Sequence, residues 1–141
     1  MAEGAFRTAA EKAGLDAVAD SAGTADYHIG HNPDPRAIDT ARRNGVQISA
    51  AIGRQLSADD FTNFTHIIAL DKANLAGIKA RAPRHSTAQI CLLLDEVSGR
   101  EGEAVADPYY GDEAEFDACW ETITEAVDAL VERLVKESAD V

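Results

Sequence analysis

The sequence of 141 residues predicts an α/β domain, a three-layer sandwich whose parallel sheet is covered by helices on both faces. Three observations lead there. Two compact apolar runs, Thr65-His-Ile-Ile-Ala-Leu70 and Ala88-Gln-Ile-Cys-Leu-Leu-Leu94, have the length and continuity of buried strands. Segments of helical spacing alternate with them, and strands joined to helices by short connections build a parallel sheet. The last segment, about 112 to 137, places Phe116, Cys119, Ile123, Val127, Leu130 and Leu134 at steps of three and four with charges between them, a long amphipathic helix that packs on that sheet. A single domain over 1–141 suffices, long enough to bury roughly two-thirds of its unfolded surface.

Taken in order, residues 1 to 13 read as a helix, with Ala5, Phe6, Ala9, Ala10 and Ala13 near helical spacing and Gly14 placed to end it. That helix has no evident start signal. Residues 16 to 22, around Val18, suit a short strand running into Ser21-Ala-Gly-Thr24. A long loop follows. Asp34 then Pro35 is a helix start, the acid as cap and the proline at the first helical position, and Asn44-Gly45 ends that helix. Ser57-Ala-Asp-Asp60 offers a cap with an acid three residues on, opening a short helix before the first apolar run. Asp71 closes that run, a helix is expected over 72 to 82 ahead of Pro83, and residues 95 to 111 are polar and glycine-rich.

The formal charge of −12, from 13 basic and 25 acidic residues, argues against a nucleic-acid partner, which needs a basic face. No apolar run approaches the roughly 20 residues that cross a bilayer, and Met1-Ala-Glu-Gly-Ala-Phe-Arg7 does not read as a secretory signal, so no membrane partner and a cytoplasmic location are expected. Cys91 and Cys119 show neither Cys-x-x-Cys nor zinc-ligand spacing; reduced, buried thiols are expected, with no metal and no cofactor.

Two segments stand apart from ordinary loop. In Val105-Ala-Asp-Pro-Tyr-Tyr-Gly111 an acid precedes a proline and two adjacent aromatics. One reading is a carboxyl group buried beside a flat apolar slot, kept protonated near neutrality and able to give its proton to a leaving oxygen. The other is a turn with an Asx cap and two packing tyrosines. The second segment, Ser21 to Arg36, is long, rich in Gly, Asn and Pro, and carries Tyr27; it reads as a functional loop or as a shaped connection.

Together these segments resemble the low-molecular-weight protein tyrosine phosphatases. Ser21-Ala-Gly-Thr24, an aromatic, Pro33-Asp-Pro-Arg-Ala37, Arg54-Gln55-Leu56, Leu70-Asp71-x-x-Asn74-Leu75 and Asp107-Pro-Tyr-Tyr-Gly111 occur in that family's order and spacing, and Met1-Ala-Glu-Gly-x-Phe6 resembles its first helix. The resemblance implies a four-stranded parallel sheet and hydrolysis of phosphotyrosine proteins or aryl phosphates through a phosphocysteine intermediate. A Cys-x5-Arg-Ser loop would cradle the phosphate at a helix N-terminus and lower the thiol's pKa. By the same resemblance Asp107 protonates the departing oxygen and then activates water, while Tyr27, Tyr109 and Tyr110 wall the aromatic slot.

Three departures follow. The family's loop and first strand are expected immediately before Met1 and are absent, and neither Cys91 nor Cys119 starts a replacement, since Val97 and Glu125 stand six residues on. These residues are therefore expected to be catalytically inactive, with a non-catalytic binding module as the alternative. Ala51 stands where the family often has a histidine supporting the loop, and His28, His31, His66 and His85 are expected at the surface or in turns rather than as its replacement. An incomplete sheet would leave open edges between residues 16–22 and 65–70, to be closed by pairing those strands directly or by a homodimer. An arsenate reductase of this fold is disfavoured, because those enzymes carry further resolving cysteines and lack Asp-Pro-Tyr-Tyr.

Overall fold

A computed structural model describes residues 1–24, 33–49, 53–108 and 111–139. The first helix, α1 (Ala2–Ala13), ends as its glycine predicts. Gly14 takes φ 69°, in the left-handed region, and the N–H groups of Gly14 and Leu15 return to the carbonyls of Glu11 and Ala10 at 3.2 and 2.9 Å. At its other end Gly4 is buried against the 46–48 segment, where an added Cβ would come within 2.5 Å of Ile48 and 2.9 Å of Val46. Gly4→Ala is therefore expected to destabilise the protein by about 1–3 kcal/mol, as an overpacked core does, despite alanine's better helix propensity; urea unfolding measures it.

The strand expected at 16–22 does not form. Val18 is 84% exposed, and the contact of this stretch with a neighbouring strand is one parallel bridge beyond its end, Gly23 with Gln55. Small and acidic side chains around a lone valine bury too little to draw the backbone into a ladder. Direct pairing with 65–70 is likewise not found among the described residues.

Helix α2 (Pro35–Arg43) begins as predicted: the Asp34 side chain accepts the Arg36 N–H at 2.8 Å and Pro35 opens the first turn. The short α3 (Asp60–Asn63) starts later than Ser57 suggested, because the Asp60 carboxylate reaches back to accept the Ser57 N–H at 2.8 Å and closes a turn ahead of the helix. Strand β1 (His66–Ala69) leads into α4 (Lys72–Arg81), capped by Asp71 accepting from the Asn74 N–H at 2.7 Å.

Strand β2 (Gln89–Leu92) pairs parallel with β1, His66 opposite Gln89 and Ala69 opposite Leu92. The apolar run does not stay extended to Leu94. Leu93 and Leu94, 2% and 0% exposed, enter a 3-10 turn (Leu93–Glu96), which lets two consecutive side chains reach the same core. A strand would send them to opposite faces. Helix α5 (Glu113–Ala139) completes the chain, and a forked ion pair, Arg133 to Glu96 at 2.7 and 2.8 Å, fastens it to the 3-10 turn.

Alternation along β1 divides the core. Ile68 and Leu70 join the larger cluster formed with α1, α2, Leu93, Leu94, Val105 and α5, whereas Ile67 and Ala69 join Phe61, Ile78 and Leu92 on the side of α3 and α4. The sheet thus lies between two helical layers, as the sequence predicts. Among the described residues no helix is long and apolar enough to cross a membrane.

Candidate active site

In parallel α/β sheets ligands gather beyond the carboxyl ends of the strands, and here that end of β1 receives the acidic segment. Val105, 6% exposed, donates its N–H to the Leu70 carbonyl at 2.8 Å, so the chain leaves the sheet edge at a fixed point. Asp107 follows two residues later. Gly111 donates back to the Pro108 carbonyl at 2.7 Å, closing a turn immediately before α5.

Asp107 is exposed, so of the two readings of its segment the one with a buried carboxyl is not found. It lies on irregular chain between an exposed Ala106 and a half-buried Pro108. Tyr109 and Tyr110, the aromatic neighbours invoked for its burial, lie outside the described residues, as do Tyr27, His28, His31 and Ala51.

The start of α2 meets this turn. Asp34 holds the Arg36 guanidinium through both carboxylate oxygens, Nε at 3.2 Å and Nη2 at 2.9 Å, and that contact keeps the Asp34 carboxyl below its ordinary range. The same guanidinium donates to the Gly111 carbonyl at 3.4 Å and lies 4.8 Å over the Phe116 ring.

The loop motif and the Arg54-Gln55-Leu56 motif prove to be one unit. Gly23 donates to the Arg54 carbonyl and accepts from the Leu56 N–H, each at 2.8 Å, and Gln55 Nε2 donates to the Thr24 carbonyl at 3.3 Å. Arg54 forks onto Asp60 at 2.9 and 3.1 Å and reaches Asp20 through Nε at 3.0 Å. Along the chain Asp60 is marked only as an acid near a helix start, and no spacing ties Asp20 to it or to Arg54.

Asp60 is 6% exposed, and the Arg54 fork holds its carboxyl below the ordinary value. Its stabilisation is complete above the ordinary carboxylate pKa of about 4 and is lost as pH falls through the lowered folded value. Arg54 is a third exposed, so water screens the pair, and Asp60→Asn is expected to cost about 2 kcal/mol at pH 7, short of the figure for a fully buried pair. The gap between variant and wild type in urea unfolding should close below roughly pH 3.

Neither cysteine has a nucleophile's surroundings. Burial raises the Cys91 thiol, with Glu96 and Asp95 adding to it, and burial raises Cys119, with Asp107 adding. Cys119 is buried as expected, while Cys91 is half-buried. Among the described residues no group of three or more His, Cys, Asp or Glu could hold a metal ion. The arrangement places the exposed Asp107 beyond the sheet's carboxyl end, on a segment anchored at Val105 and Gly111.

The family model described as low molecular weight phosphotyrosine protein phosphatase matches residues 1–140. The low molecular weight phosphotyrosine protein phosphatase of Schizosaccharomyces pombe is 40% identical over 123 residues, covering 85% of this chain and 78% of that protein. Among solved structures, a protein tyrosine phosphatase from Entamoeba histolytica superposes with a TM-score of 0.89 at 29% identity, covering 97% of this chain and 88% of that one. Bacillus subtilis YfkJ superposes with a TM-score of 0.85 at 34% identity, over 96% and 86% of the respective chains.

Proposed function

The chain belongs to the low molecular weight phosphotyrosine protein phosphatase family, and on that premise we propose that it forms the acid-bearing part of a phosphotyrosine ester hydrolase, in one domain over 1–141. Asp107 supplies the proton to the departing phenolic oxygen, and its carboxylate then takes a proton from the attacking water. The observation that supports this is Asp107 standing exposed beyond the carboxyl end of β1 on a doubly anchored segment. Tyr27, Tyr109 and Tyr110 are assigned to the walls of the ring slot. In complete members a thiolate takes the phosphoryl group, and the P–O bond to the leaving group breaks as the S–P bond forms.

Within these 141 residues no cysteine is followed six residues on by arginine, so this polypeptide is proposed not to turn over aryl phosphates. The test compares hydrolysis of para-nitrophenyl phosphate, with and without vanadate, by the 141 residues and by the same residues fused behind a strand and a Cys-x5-Arg-Ser loop. Turnover by the fusion alone supports the reading. Turnover by the 141 residues, abolished by Cys91→Ser or Cys119→Ser, overturns it, and inertness of both points to a binding module.

Two minor proposals accompany this one. The raised, unoxidised thiols suit a reducing cytoplasm. The ladder pairs β1 on its β2 side, and association of two copies through the other edge is proposed; sedimentation showing only monomer at high concentration would count against it.

A further inference from the structure

We infer that Arg36 is a positioning residue for Asp107: its guanidinium clasps the turn behind the acid to α2 and α5 and so sets where the carboxyl group stands. The inference rests on the reading of Asp107 as proton donor.

The segment that carries Asp107 is tied at two points. At its start the Val105 N–H is bonded to the Leu70 carbonyl, a backbone contact to the sheet. At its end the Gly111 carbonyl accepts from Arg36 Nη1 at 3.4 Å, a side-chain contact across 75 positions of sequence. The second tie is long for a hydrogen bond, and the guanidinium that makes it is also fixed by a carboxylate and a ring. Both Asp34 oxygens engage Nε and Nη2, and Asp34 is itself fixed by accepting the Arg36 backbone N–H at the start of α2. The flat face lies over Phe116, whose ring is 3% exposed and belongs to the main core.

Arg36 thus joins the capped start of α2, the first turn of α5 and the closing carbonyl of the acid's turn. Its planar fork matches a carboxylate, a ring and a carbonyl at once, which a lysine's point charge does not. With it, the end of the acid's turn is joined by a side-chain contact to the starts of both α2 and α5. A proton donor displaced by about 1 Å loses much of its rate advantage while binding is little changed.

The test has two arms. In the 141-residue protein, residue-resolved hydrogen exchange is measured for wild type, Arg36→Gln and Arg36→Lys. Exchange at Gly111 should rise about tenfold in both variants, with Val105 and the α5 core amides unchanged. In the fusion carrying the Cys-x5-Arg-Ser loop, the same variants should lower kcat/KM about tenfold or more for phenyl phosphate, whose strongly basic leaving oxygen needs the proton. They should leave kcat/KM for para-nitrophenyl phosphate within about twofold, because that ratio reports departure of the phenolic oxygen and not the later hydrolysis that both substrates share.

Exchange at Gly111 that stays at the wild-type rate, or that rises at every amide together, overturns the clasp. Equal loss of kcat/KM for both substrates, or full rescue by lysine, overturns the positioning role. If the wild-type fusion is inert the phosphatase reading fails, and the exchange arm still decides whether Arg36 holds the turn.

Discussion

Asp107→Asn, in the fusion that supplies the Cys-x5-Arg-Ser loop, is expected to lower kcat/KM for phenyl phosphate by roughly 10²–10⁴. That range is what a positioned acid contributes when it protonates a leaving group in the transition state. The amide is nearly the size of the acid and keeps an acceptor, so the turn should persist; what it lacks is the transferable proton. The loss should therefore grow with the basicity of the departing oxygen and be least for para-nitrophenyl phosphate. Steady-state kinetics over a series of substituted phenyl phosphates measures it. A uniform loss of kcat/KM across that series would show that the substitution had disturbed the fold of the site and not the proton transfer to the leaving oxygen.

The largest stability effect is expected at Phe61. Its side chain is fully buried in the smaller cluster with Ala69, Ile78 and Leu92, and its carbonyl accepts the N–H groups of Thr87 and Ala88 at 3.0 and 3.1 Å as the chain turns into β2. Phe61→Ala should cost about 3–5 kcal/mol, the transfer term plus a cavity that two short strands and a one-turn helix can only partly close. The melting temperature should fall by roughly 10–15 °C. Trp120, the single tryptophan and 6% exposed in the other cluster, reports unfolding by fluorescence without lying at the mutated site. Phe61→Leu, which keeps most of the volume, should cost less than about 1.5 kcal/mol. A similar loss in both variants would mean that the cavity is not the cause.

Legibility followed the range of the interaction responsible. Gly14 and Asp34-Pro35 act on backbone groups within a few residues of themselves, and each was readable as a helix end; Asp71 was readable only as the close of an apolar run, and the structure makes it the cap of α4. The runs at β1 and β2 and the stripe of α5 were readable because burial imposes a period on the side chains. Residues 16–22 misled because a strand exists only with a neighbour, and the neighbour is not a property of the segment. Leu93 and Leu94 misled because a continuous apolar run does not say where extended chain gives way to a turn. At the site, Asp107 was picked out by its company in the sequence, but its exposure stayed open between two readings, since exposure depends on what packs above it.

The sequence by itself therefore determined the α/β class, the order and approximate bounds of the helices, the family, and the absence from these residues of a Cys-x5-Arg loop. Tertiary structure alone decided that Arg54 forks onto Asp60 and reaches Asp20, that Ser21–Thr24 is stitched to Arg54–Leu56, and that Arg36 grips the turn behind Asp107. The physical reason is common to all three. Local caps and periodicity are written into spacing along the chain, whereas a guanidinium finds its carboxylate or carbonyl across tens of residues only after the packed layers have fixed both in space.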